Sequence, residues 1–249
     1  MRFYIALLGG LGVATSVALL AAGSLGWASG LLGVTLAWLI LDRVLARSPR
    51  ARVALTYLYT LGFYQAVAGI VPALGLRAWD AQLLALDRAL FGETPAARFA
   101  LYAPLTDALS ACYLSYHLYL HAALVYAAWR VEEGERLFRP LFTAFALGMA
   151  GYLLVPAVGP AVAYPELFAE PLAGGGMSTL TRVVIGAGSS TYDVFPSLHV
   201  LITLVLLDHD WRHSPRRFWW VVTPALGLIV STLYLRYHYA VDLLAGVGC

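Results

Sequence analysis

Two short polar motifs stand out in this chain by the chemistry they could perform. Pro196-Ser197-Leu198-His199 opens one apolar stretch, and Arg236-Tyr237-His238-Tyr239-Ala240-Val241-Asp242 follows another. Between the two histidines lies enough apolar chain for one passage down a bilayer and one back, so both are expected at the same membrane face. His238 and Asp242, four apart, share a face of a helix. A carboxylate on one ring nitrogen fixes the tautomer and frees the other nitrogen for attack. Pro196 suits the first turn of a helix, whose free amides form an anion site with the Ser197 hydroxyl. His199 sits within a turn of that site, placed to protonate a leaving oxygen. Arg236 could grip phosphate oxygens with its planar fork. Together these residue types support phosphoryl transfer on a lipid through a phosphohistidine, with charge stabilised by arginine and amides.

Each residue also has a plainer reading. A histidine at a span end can be an interfacial hydrogen-bonder, and Asp242 can be a helix cap or dipole partner. Both motifs on one face favour catalysis, because ionisable groups at membrane depth are costly and tend to be functional.

The elements that must position these residues are apolar. The chain has 249 residues, 61% hydrophobic and 12% charged, with mean hydropathy +0.75. Soluble domains carry about 25% charged residues, so an integral membrane protein is expected. No nucleic-acid patch, nucleotide loop or low-complexity linker is visible, and every basic residue is arginine. Cys112 and Cys249 give neither a disulfide framework nor a metal spacing. The uncharged run from Phe3 to Leu41 is about twice a bilayer core, so it reads as two spans with a turn near Gly23-Ser24. The Met1-Arg2 start reads as a retained anchor rather than a cleaved signal peptide.

Uncharged stretches place eight spans at about 3–22, 27–42, 53–75, 108–129, 140–157, 196–211, 218–235 and 238 to the end. The last is short for a ~30 Å core, so its helix is expected to continue beyond Cys249. With a cytoplasmic N-terminus, Arg2, Arg43, Arg47, Arg50, Arg52, Arg130, Arg136, Arg139, Arg212, Arg216 and Arg217 all fall inside. Arg77, Arg88, Arg98, Arg182 and Arg236 fall in longer outer segments. The positive-inside rule therefore puts both histidine motifs on the extracytoplasmic side. Within the outer segment 77–107, residues 79–92 read as an amphipathic interfacial helix with Gly92 near its C-cap. Residues 158–195, rich in Gly, Ser and Pro, read as a loop covering or lining a site. Tyr113, Tyr116, His117 and His121 cluster near the outer end of the fourth span. His117 and His121 could suggest a metal pair, but no third ligand has suitable spacing. Packing and substrate contact are the expected roles, and no metal or cofactor is expected.

The motif residues resemble the type 2 phosphatidic acid phosphatase superfamily, over roughly residues 79–249. Its membrane members carry Pro-Ser-x-His at one helix start and Ser-Arg…His-x-x-x-Asp before the last helix. The resemblance implies His199 as general acid, His238 as nucleophile and Asp242 as its partner. Ser231 occupies the family's serine position, but its arginine position is Thr232, and Arg236 is the proposed substitute. The first family motif, a lysine followed by Arg-Pro, is not recognisable; Arg139-Pro140 matches in letters but lies on the wrong side. Tyr152-Leu153-Leu154-Val155-Pro156-Ala157-Val158-Gly159-Pro160 and Leu86-Asp87-Arg88-Ala89-Leu90-Phe91-Gly92 look like signatures of the inositol phosphorylceramide synthase-like branch. An arginine often follows Gly-Pro there; here it is Ala161. Phosphate binding is thereby assigned to Arg236, Ser197 and Arg182, with Arg88 a further candidate, and substrate contact to Tyr113, His117 and Tyr152.

The expected protein is an all-α integral membrane protein of about eight transmembrane helices. Residues 1–52 would supply two accessory helices and 53–249 a six-helix phosphatase-like catalytic core. It would act on a lipid phosphate ester at the extracytoplasmic face, hydrolysing it or passing the phospho-headgroup to a lipid or polyol hydroxyl. A transporter or flippase binding an anionic headgroup, without covalent chemistry, is the alternative.

Overall fold

The computed structural model describes residues 3–168 and 170–249, with 131–133 known by their backbone alone. The Met1-Arg2 start, read above as part of a retained anchor, lies outside the described residues. The protein is all-helical, with no strand among the described residues. Its helices are α1 (Phe3–Ala21), α2 (Leu25–Val44), α3 (Pro49–Ala73), α4 (Asp80–Phe91), α5 (Ala103–Trp129), α6 (Val131–Leu154), α7 (Pro160–Ala163), α8 (Gly176–Gly188), α9 (Leu198–His213), α10 (Pro215–Tyr234) and α11 (Ala240–Gly248).

Four described helical segments are long and apolar enough to cross a membrane: Phe3–Ala21, Leu25–Arg47, Pro49–Ala73 and Gly134–Leu154. The other expected spans coincide in position with α5, α9, α10 and α11. α1 and α2 turn at Gly23, which takes a positive φ of 78°, where the uncharged run was expected to break. The segment 158–195 is not simply a loop. It contains α8, which buries Ser178 and Thr181 and leaves Met177, Leu180 and Val183 exposed.

Packing centres on α6 and α9. α6 touches α1, α3, α5 and α9, while α9 also meets α10 and α11. Lipid tails are as apolar as leucine, so close packing of small residues rather than water exclusion joins helices there. Gly148 and Gly151 of α6 lie directly against Leu198 and Pro196 at the start of α9. Buried ion pairs tie two of the turns. Arg52 donates twice to Asp42, at 2.7 and 2.6 Å, across the α2–α3 turn. Arg217 donates to Asp210 across the α9–α10 turn, and Tyr119 of α5 donates to the same carboxylate at 2.8 Å.

Candidate active site

Ser197 caps α9, and its Oγ accepts the Val200 amide at 3.5 Å. Its own amide donates to the carbonyl of Asp242 at 3.0 Å, so the backbones of the two motifs are joined directly. α10 ends on a left-handed residue, Arg236, with φ 67°. The amides of Arg236 and Tyr237 fold back on Leu233 and Thr232 carbonyls, satisfying the helix end in the usual C-terminal manner. The chain then presents His238 and enters α11, where Asp242 Oδ2 accepts the Tyr239 amide at 2.8 Å.

This local folding brings Ser197, His199, His238 and Asp242 together. Ser197 and Asp242 are fully buried and His238 is 2% exposed. His238 Nδ1 lies 3.4 Å from Asp242 Oδ2, an ion-pair distance without hydrogen-bond alignment. On the other side of the ring, Nε2 is 3.4 Å from Ser197 Oγ. The His199 and His238 rings stand 5.7 Å apart between centroids, inclined at 73°. His199 Nε2 shares a hydrogen bond with the Tyr113 hydroxyl at 2.8 Å. Its ring rests against Tyr113 and Tyr116, at 4.8 and 4.9 Å, and its buried Nδ1 has no partner among the described residues.

A cavity of about 330 Å³ opens beside His199, and Tyr64, Tyr113, Tyr116, His117 and Tyr152 line it. All three residues assigned to substrate contact, Tyr113, His117 and Tyr152, therefore face one space with His199. Asp193, which the sequence reading overlooked, also lines it; its carboxylate accepts from Tyr64, from the Ser189 hydroxyl and from the Ser190 amide. His121 also lines the cavity and bonds Tyr57 at 2.9 Å and the His117 carbonyl at 2.6 Å.

The two arginines assigned to phosphate lie elsewhere. The Arg236 guanidinium donates to the Glu170 carbonyl at 2.8 Å and sits 4.4 Å over the Phe168 ring. Arg182 is exposed and donates to Thr179 at 3.2 Å. Neither touches His238. Between them, Tyr237 packs on Tyr113 at 5.2 Å, and burial pushes its phenol up to about 12, so it remains a neutral donor.

Two further residues escaped the sequence reading. Asp80 and Asp87 of α4 are buried and point at the second motif: Asp87 accepts the Ala240 and Val241 amides, and Asp80 accepts the Tyr239 hydroxyl. In the sequence they are two acids seven apart on an amphipathic helix, and Asp87 falls within the Leu86–Gly92 stretch that resembles a family signature.

Residues 81–249 match the PAP2 superfamily. A PA-phosphatase related-family protein of Dictyostelium discoideum is 23% identical over 225 residues, an alignment covering 74% of this chain and 41% of the relative. The chain thus spans about two fifths of the length of the curated relative it matches. No solved structure matches the chain. The family match takes in more than half of the chain, including both histidine motifs and Asp87, and on it the chain belongs to the PAP2 superfamily.

Proposed function

We propose that this protein is a lipid phosphatase or phosphotransferase working through a phosphohistidine on His238. The observation that carries the reading is the His238 ring held between Asp242 and Ser197 with the His199 ring 5.7 Å away. Asp242 faces Nδ1, which leaves Nε2 to attack phosphorus in line with the leaving oxygen. The P–O bond breaks as the P–N bond forms, and His199 gives its proton to the departing alkoxide. His199 then takes a proton from water or from an acceptor hydroxyl, whose oxygen attacks phosphorus and releases His238. The free amides opening α9, together with the Ser197 hydroxyl, cradle the phosphate. Arg236 and Arg182 supply positive potential from outside the buried cluster, and the cavity beside His199 takes the group attached to the leaving or accepting oxygen.

The finer assignments belong to the same proposal. The two sequence stretches around Asp87 and Gly159-Pro160 support an inositol phosphorylceramide synthase-like role, in which a hydroxyl acceptor replaces water. The arginine distribution supports a cytoplasmic N-terminus, eight crossings with the first two accessory, and an extracytoplasmic site. The test uses purified protein with a labelled lipid phosphate, with and without ceramide or an inositol lipid. Free phosphate identifies hydrolysis and a new labelled lipid identifies transfer. His238→Ala and His199→Ala should each abolish product. Undiminished phosphate release by His238→Ala would refute the covalent route, and headgroup transport without turnover would establish the flippase reading instead.

A further inference from the structure

Helix α4 carries its polarity inverted for a surface element. Its buried stripe is Asp80, Leu83, Leu84 and Asp87, while Leu86 and Leu90 are 50% and 61% exposed. The exposed leucines suit an interfacial helix lying against lipid. The inward carboxylates need another reason, because a buried charge persists only when donors surround it.

Donors do surround both, and half of them come from the second histidine motif. Asp87 Oδ2 accepts from the Ala240 amide at 3.1 Å and the Thr94 hydroxyl at 2.7 Å, and Oδ1 accepts from the Val241 amide at 3.0 Å. Asp80 Oδ1 accepts from the Gly159 amide at 2.9 Å and the Tyr239 hydroxyl at 3.0 Å. Its Oδ2 accepts from the Val158 amide at 3.1 Å. The amides opening a helix have no partner within it, so what they bond outside the helix fixes where the first turn lies. At α11, Asp242 takes the Tyr239 amide and Asp87 the next two. The peptide planes on either side of Tyr239 and Ala240, directly after His238, are therefore clamped from α4 and from within α11.

We propose that Asp87 and Asp80 are positioning residues for the His238–Asp242 half of the site, suspending it from the interfacial helix. The inference rests on the catalytic reading above. Asp87 touches neither histidine; it acts by fixing the turn that aims the His238 ring at Ser197 and His199. A misplacement of about 1 Å costs on the order of 10²-fold in rate.

The test measures kcat, KM, the pH–rate profile and melting temperature of the full chain in detergent micelles, with dioctanoyl phosphatidate as the probe substrate. Asp87→Asn keeps the side chain's shape but turns an amide donor toward backbone donors. Its kcat per folded molecule should fall on the order of 10²-fold, with KM within about twofold and the limb of the profile set by the His238–Asp242 pair displaced. Asp87→Glu should not restore the rate, since its carboxylate is carried one carbon too far. Tyr239→Phe removes only the phenol donated to Asp80, and its kcat should fall about threefold to tenfold, which keeps the proposal open to refutation if Asp87→Asn does not fold. A cap of purely structural importance would lower the melting temperature and leave kcat and the profile unchanged in both variants; that result overturns the proposal. His238→Ala, run alongside, separates the two readings. An inactive His238→Ala with an unimpaired Asp87→Asn overturns this inference alone, and an active His238→Ala overturns both.

Discussion

Replacing Gly151 by alanine should disable the first half of the site without touching a catalytic residue. An ideal Cβ at Gly151 would lie 2.1 Å from Pro196 Cδ, 3.0 Å from the Phe195 carbonyl oxygen and 3.2 Å from Pro196 N. Carbon atoms in contact prefer about 3.5–4.0 Å, so roughly 1.4 Å of extra separation must be found. The proline ring cannot rotate away, since it is part of the backbone. The displacement must therefore pass into Ser197 and His199, the next residues along α9. Forcing a methyl into a packed core costs about 1–3 kcal/mol, and a shift near 1 Å in catalytic geometry costs on the order of 10²-fold. Gly148 provides the contrast. Its Cβ would meet the Leu198 side chain at 2.3 Å, and a leucine can change rotamer, so Gly148→Ala should lower stability more than turnover. Gly33 has nothing within 4 Å, and Gly33→Ala should match the parent in both. Release of phosphate from a short-chain lipid phosphate, normalised to folded protein from a melting curve, gives the comparison. Full turnover and an unchanged melting temperature for Gly151→Ala would refute the claim that α6 sets the position of the Pro196–His199 turn.

Asp210→Ala removes a carboxylate that is 2% exposed and is held by Arg217 and Tyr119, so stability should fall by about 3–5 kcal/mol. Thermal melting reads that loss, and a change of under 1 kcal/mol would show the pair to be neutral. Arg236→Ala should raise KM no more than about fivefold, the equivalent of about 1 kcal/mol for an exposed contact, with kcat within twofold. A loss of 10²-fold or more in kcat would instead place its guanidinium on the transferring phosphate. Arg236→Gly should in addition stabilise by about 1 kcal/mol, because only glycine adopts a left-handed φ without penalty. Gly151→Ala combined with Asp87→Asn should depart from additivity by about 0.5–3 kcal/mol, since the Ser197 amide on the Asp242 carbonyl couples the two halves; simple additivity would mean that this link transmits nothing.

What could be read from the sequence was what depends on near neighbours in the chain. Pro196 and Ser197 mark a helix start, His238 and Asp242 share a face, and the bilayer-length stretches bring the two histidines to one end. Residues whose meaning lies in distant partners were opaque. Asp80 and Asp87 look like the wet face of an amphipathic helix until their donors are found in amides about 80 and 150 positions away in α7's approach and α11. The glycines of α6 carry no side chain to read, and their role exists only because Pro196 and Leu198 arrive against them. Arg236 illustrates a different difficulty. Its type suits phosphate, but its position terminates α10 in a left-handed conformation, and that backbone demand sends the guanidinium toward Glu170 and Phe168. α8 was hidden because its glycine-rich flanks resemble loop, while its burial is supplied by α5 through Ser178 and Thr181.

The two halves of the site are held by different forces, and the chemical tasks proposed for them explain why. The His199 half is fixed by shape, with a rigid proline against a bare glycine and an imidazole wedged between two tyrosine rings. The group proposed as general acid must give up and recover a proton, and ring contacts together with the Tyr113 hydroxyl on Nε2 hold it without committing Nδ1 to a permanent partner. The His238 half is fixed by directional hydrogen bonds that Asp87, Asp80 and Asp242 accept from the backbone amides and phenol around it. A nucleophile needs its attacking nitrogen aimed within a narrow cone, and carboxylates clamping consecutive amides define a direction better than dispersion contacts can. Asp80 and Asp87 sit on α4, whose exposed positions include Leu86 and Leu90, so on the proposed catalytic reading the aim of the His238 ring is set from the interfacial helix rather than from the bundle core.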